Sequence, residues 1–136
     1  MTKVEIRNLY EIALCLFYLD QKDLADIIIQ VLVQNLNTKW EFYGNILSLY
    51  AINFSRDENL SQALYYINQT IDFFHTNLYF KNLPLCYYNR SRIKSHLNDS
   101  TYKDDLIVAL NLSDLLSQDY IADVIKDKCK KFNISL

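Results

Sequence analysis

A chain of 136 residues with one glycine, Gly44, and one proline, Pro84, has few means of turning sharply. Sandwiches, barrels and doubly wound sheets need many residues with positive or preset φ. Long helices joined by short polar turns need few, so the expected fold is all-α. The same scarcity removes the Gly-rich phosphate loop, the dinucleotide fingerprint and the glycine-flanked nucleophile elbow. The sequence therefore reads as a binding or regulatory module and not as an enzyme.

Length and a hydrophobic content of 51% suit one domain spanning residues 1–136, able to bury roughly two-thirds of its unfolded surface. A formal charge of −2 leaves no basic footprint for nucleic acid, so no direct nucleic-acid contact is expected of this chain. Cys15, Cys86 and Cys129 are odd in number and set in apolar helical surroundings. They read as reduced, inert core thiols of a cytoplasmic protein. No apolar run reaches the length of a membrane span, and the first residues lack a signal-peptide pattern.

Periodicity predicts seven helices. The first runs from Thr2 to about Tyr18, opened by the capping box Thr2-x-x-Glu5, with Ile6, Leu9, Ala13, Leu16 and Phe17 on its apolar face. The second, Asp23 to Leu36, carries the stripe Leu24, Ile27, Ile28, Val31 and Leu32, widened by Ile29, Val33 and Leu36. Thr38-x-x-Glu41 repeats the capping-box pattern and opens a third helix to about Phe54. The fourth spans Leu60 to His75, with core positions Leu60, Ala63, Leu64, Ile67, Ile71 and Phe74. The fifth runs through Leu85 to Leu97 with Pro84 in its first turn. The sixth and seventh cover Tyr102–Leu116 and Tyr120–Phe132.

Asp23-Leu24-Ala25-Asp26-Ile27-Ile28 lies 36 positions before Asn59-Leu60-Ser61-Gln62-Ala63-Leu64, and a third polar turn followed by a helix starts near Asn98. A spacing of this size fits a right-handed stack of helical hairpins of the tetratricopeptide-like kind, with degenerate repeats. A lone hairpin cannot bury its apolar faces, so stacking supplies the core. The last helix, with Lys126, Lys128, Lys130 and Lys131, serves as a polar cap.

Asn59-Leu60-Ser61-Gln62-Ala63-Leu64-Tyr65-Tyr66-Ile67-Asn68 through Phe74, then Tyr87-Tyr88-Asn89-Arg90-Ser91-Arg92-Ile93-Lys94, then the helix pair from Tyr102, give the chain a family texture. It resembles the C-terminal half of the Rgg/GadR/MutR-type transcriptional regulators, relatives of the PlcR and PrgX peptide-pheromone receptors. The resemblance implies a concave surface that receives a short signalling peptide, a homodimer, and a role in bacterial quorum sensing and transcription regulation. The family's N-terminal helix-turn-helix has no counterpart here, so the resemblance implies the sensing and dimerising part of a longer regulator. A chain standing alone would instead be a tetratricopeptide-like scaffold for a protein partner.

In such stacks the first helix of each pair lines the concave face, which directs attention to polar residues on helices one, three and five. Glu41, Asn45 and Ser48 fall on one stripe of helix three, and Asn82, Asn89, Arg92 and His96 belong to helix five and its approach. Asn amides donate and accept at once, as an extended peptide backbone requires, and Arg92 suits a carboxylate. The candidate ligand-binding set is Asn45, Ser48, Asn89 and Arg92, with Tyr43, Tyr50 and Tyr88 as aromatic walls. The plainer reading is that these polar residues form a solvated face or cap turns, and that the tyrosines pack the hairpins. His75 and His96 are far apart and no cysteine pair has ligand spacing, so no metal or other cofactor is expected. Asp104-Asp105 and Asp23/Asp26 read as first-turn charges favoured by the helix dipole.

Overall fold

Thr2 opens the first helix as its spacing predicts. Its Oγ1 accepts from the Glu5 N–H at 3.2 Å, and Glu5 Oε2 accepts from the Thr2 N–H at 2.7 Å. In the computed structural model, which describes all 136 residues, that helix is α1 (Lys3–Tyr18). It is followed by α2 (Lys22–Gln34), α3 (Phe42–Arg56), α4 (Leu60–Thr76), α5 (Leu83–His96), α6 (Tyr102–Leu115) and α7 (Asp119–Lys131). A 3₁₀ turn, Phe80–Asn82, leads into α5, whose first turn holds the buried Pro84 where its missing N–H costs nothing. There is no strand, and no helix is long and apolar enough to cross a membrane.

The helices pair as antiparallel hairpins α1–α2, α3–α4 and α5–α6, and α7 closes the end against α6. Beyond chain neighbours, the helix contacts are α1 with α3, α3 with α5 and α5 with α7. Odd-numbered helices therefore form a continuous inner row, while α2, α4 and α6 stand apart from one another on the outside, as in a tetratricopeptide-like stack. The odd helices begin at Lys3, Phe42 and Leu83, a recurrence of 39 and then 41 residues.

The fourth residue of every outer helix and of α7 is buried: Ala25, Ala63, Asp105 and Ala122. A small side chain there lets the outer helix lie close to its partner. This position sets the rotation of α2, and it differs from the stripe expected from periodicity. Ala25, Ile29 and Leu32 face the core, whereas Leu24 and Ile27 are 54% and 62% exposed. Nearly every residue from Leu24 to Val33 is apolar, so hydrophobicity alone leaves the phase of α2 open. The hairpin register is accordingly 38 residues, Ala25 to Ala63, and not 36.

A second expectation fails at α3. Residues 38–41 are turn, Glu41 makes no side-chain cap, and the helix begins at Phe42. Asn37 Oδ1 accepts from the Lys39 N–H at 2.9 Å, a local turn that competes with the Thr38 cap. It carries Trp40 into contact with the first core cluster, around Ile6, Ala25, Ile29 and Leu32. A second cluster, around Ile67, Phe74, Leu83 and Ile93, joins hairpins two and three, and a third forms around Leu106, Ala109 and Ile125. Each fully buried isoleucine or leucine contributes roughly 1.5–3 kcal/mol of transfer free energy.

Six of the seven helices end in the same way, without glycine. Asp20, Glu58, Leu78, Asn98, Ser117 and Asn133 have φ between 52° and 61°. In each case the next N–H reaches back to close the helix, for example Tyr79 N to Phe74 O at 2.9 Å and Asn59 N to Phe54 O at 2.9 Å. The left-handed conformation is strained for a side chain with a Cβ, most plainly for Leu78, which is 70% exposed and offsets little of that strain by burial. Leu78→Gly is expected to stabilise the chain by about 1 kcal/mol, read as a higher urea midpoint at unchanged slope.

Candidate functional site

The inner row of odd helices encloses a groove of about 630 Å³ where α1, α3 and α5 end. Phe17 comes from α1, Ile52, Ser55 and Arg56 from α3, and Asn89, Arg92, Ile93 and His96 from α5. Glu58 and Leu60 close the side at the α3–α4 turn. Helical spacing explains the convergence, since Asn89, Arg92, Ile93 and His96 recur at i, i+3, i+4 and i+7 on one face of α5.

Arg56 holds one end of the groove in shape. Its Nη1 donates to the Phe17 carbonyl at 2.8 Å, and its guanidinium lies 3.5 Å from the Phe17 ring centroid. This fastens the last turn of α1 to the last turn of α3 by a charge-assisted bond and a cation–π contact. The Asp20 carboxylate is 3.8 Å away and almost wholly exposed, so that pair contributes little.

Asn89 lies on the groove wall and is only 7% exposed, yet its Nδ2 has no hydrogen-bond partner. On the neighbouring α3, Asn53 is equally buried and its Oδ1 is also unpartnered. Leaving a buried amide donor unmade costs about 1–3 kcal/mol, so an occupant that satisfies it recovers that free energy on binding. Arg92 and His96 complete the wall, and Arg92 forms no ion pair with any carboxylate. The lining thus offers an amide, two guanidinium groups, an imidazole, a hydroxyl and the Glu58 carboxylate between apolar patches. That set suits a peptide backbone with apolar side chains.

The residues expected on α3 lie elsewhere. Asn45 Oδ1 accepts from Asn82 Nδ2 at 3.0 Å, which ties α3 to the 3₁₀ turn before α5. Ser48 lies beside the buried Cys86 thiol, whose pKa burial pushes up to about 12, only partly offset by the neighbouring Ser48 hydroxyl. The Tyr43 ring packs on Phe73 at 4.9 Å between centroids, and Tyr50 packs on Phe54 and Tyr66 at 4.6 and 4.7 Å. These four knit α3 to its neighbours, and none lines the groove. Tyr88 faces the other side of α5, where the Arg92 guanidinium and Lys128 ammonium lie 6.0 and 5.5 Å from its ring centroid. Glu41 lines a separate cleft beside Trp40 and Lys3. Of the candidates, Asn89, Arg92 and His96 come together in the groove.

Sequence reasoning missed Phe17, Ile52, Ser55 and Arg56. Ser55-Arg56 reads as the start of a polar turn, but α3 continues through Arg56. The signal available was the spacing Ile52-x-x-Ser55-Arg56, the same i, i+3, i+4 pattern that marks α5.

Two further readings change. Of the three free cysteines only Cys86 is a core residue, while Cys15 is exposed. Asp105 is not a solvated first-turn charge but 3% exposed, held bidentately by Arg90 at 2.9 and 2.7 Å and by Lys94 at 3.0 Å. The chain matches no described protein family, no curated protein and no solved structure.

Proposed function

We propose that this chain is the peptide-sensing and dimerising domain of a transcriptional regulator of the kind it resembles, and that a short extended peptide lies in the groove of α1, α3 and α5. It binds rather than catalyses. The observation that carries this reading is Asn89, a nearly buried amide whose donor is left unmade at the wall of a peptide-sized groove. An extended peptide's carbonyl accepts from Nδ2 once the Asn89 side chain turns that covered atom toward the groove, and Arg56 and Ile52 flank the path. Calorimetry on the full chain with pools of random apolar heptapeptides tests it. Asn89→Ala is expected to weaken binding by about tenfold or more. The same change leaves the unfolding midpoint nearly unchanged, because the amide it removes is unsatisfied in the free protein. Equal binding by both proteins would remove Asn89 from the site.

The dimer reading rests on a different surface. Ile12 and Leu19 on and just after α1, and Leu24 and Ile27 on α2, are 47–69% exposed, so the first hairpin carries apolar surface that solvent disfavours. Sedimentation at micromolar concentration is expected to give a dimer, and Ile27→Asp a monomer. A wild-type monomer would leave the peptide groove standing and remove the dimer.

A further inference from the structure

Beyond the groove, α5, α6 and α7 enclose a second cavity of about 320 Å³, and Arg92 and His96 line both. The two spaces therefore adjoin along α5, with Arg92 and His96 standing at their boundary. The second cavity has an apolar side of buried Leu106, half-buried Ile134 and the 58% exposed Phe132, and a polar side of Ser95, Tyr102 and Lys128. Not one carboxylate lines it.

The cations around this cavity are unneutralised. Arg92 and Lys128 both approach the Tyr88 ring, and Lys128 and Lys131 both approach the Phe132 ring, at 5.9 and 5.4 Å. None of the three has a carboxylate within ion-pair distance. Burial, and then the neighbouring charges of Arg92 and Lys131, hold the Lys128 ammonium below the usual lysine range. A lysine that served only the α7 dipole would extend into solvent, where neither penalty applies. Like charges gathered beside an apolar surface are stabilised by an anion that brings apolar surface with it.

We propose that this cavity reads the C-terminal end of the bound peptide: its carboxylate sits between Arg92 and Lys128, and its last side chain, apolar, packs against Leu106, Phe132 and Ile134. This rests on the groove's binding a peptide, and it sets the direction, with the rest of the peptide running from Arg92 past Asn89 toward Arg56 and Phe17. The paired guanidinium and half-buried ammonium discriminate a free carboxylate from an amide, and the apolar side of the cavity discriminates an apolar last residue from a charged one.

The test uses the full chain and two heptapeptide pools, random at the first positions and ending in leucine, one with a free carboxylate and one amidated. Calorimetric titration of the wild type is expected to favour the acid pool by about tenfold or more. Arg92→Gln and Lys128→Gln, which keep the aliphatic stems and the fold, are each expected to bring the two pools to near-equal affinity. A pool ending in glutamate should bind the wild type more weakly than the leucine acid pool. Equal binding of acid and amide by the wild type, or a preference that survives both substitutions, overturns the C-terminal reading while leaving the groove as a peptide site. Binding of neither pool overturns the groove as well.

Discussion

Asp105→Ala is expected to destabilise the protein by about 3–5 kcal/mol, a fall in melting temperature of roughly 10–20 °C for a domain of this size. The carboxylate is buried between two cations, with Arg90 gripping both oxygens, Lys94 at 3.0 Å and Arg90 Nη1 reaching on to Asn68 at 3.0 Å. The network joins α4, α5 and α6. Removing its only anion leaves two desolvated cations close together, which costs far more than the pair is worth against an apolar replacement. Alanine is what α2, α4 and α7 carry at this same fourth position, so a small apolar side chain fits there once the cations are dealt with. Asp105→Ala combined with Arg90→Met should therefore recover much of the loss. Since contacts run only between helices one or two places apart in the chain, hydrogen exchange should rise first in α6 and α7, with α1–α3 little affected. Uniform loss of protection along the chain would contradict the repeat description.

Gly44→Ala, a single added methyl, is expected to cost about 1–3 kcal/mol. A Cβ on Gly44 would stand 2.6 Å from Phe74 Cε1 and Cζ and 2.8 Å from Phe73 Cδ1. Phe74 is fully buried, so its ring has no free space to enter, and α3 must move away from α4. Glycine is kept here for the close approach of two helices, while every left-handed helix end manages without it. Phe74→Leu in the Gly44→Ala background should destabilise less than Phe74→Leu alone, which a double-mutant cycle in urea measures. Simple additivity would mean that the contact is relieved elsewhere.

The all-helical architecture and the hairpin order were legible because single Gly and Pro residues, polar turns and helical periodicity all point one way. The rotation of α2 was not. Its apolar residues surround the helix, and the deciding feature is the small residue Ala25, whose role shows only once Ala63 and Ala122 are seen at the same position. Half of the site was readable on α5, where polar residues interrupt an otherwise apolar face. On α3 the polar stripe was a poor guide, because a polar residue between helices can be satisfied by a neighbour that sequence does not reveal. Asn45 meets Asn82, and Ser48 lies beside Cys86. Asp105 misled in the same way, since a first-turn carboxylate looks identical whether it faces water or a buried arginine.

The claim that this chain holds a peptide on the inner row of helices is tested most directly by titrating the isotopically labelled full chain with a random apolar heptapeptide pool and following its amide NMR spectrum. Expected are saturable shifts at the ends of α1, α3 and α5, at Phe17, residues 52–58 and residues 89–96, with the Asn89 side-chain amide among the largest, joined by Leu106, Lys128, Phe132 and Ile134 where the peptide's C-terminus occupies the second cavity. Shifts on the outer helices α2 and α4 instead, or an unchanged spectrum at large peptide excess, would contradict it.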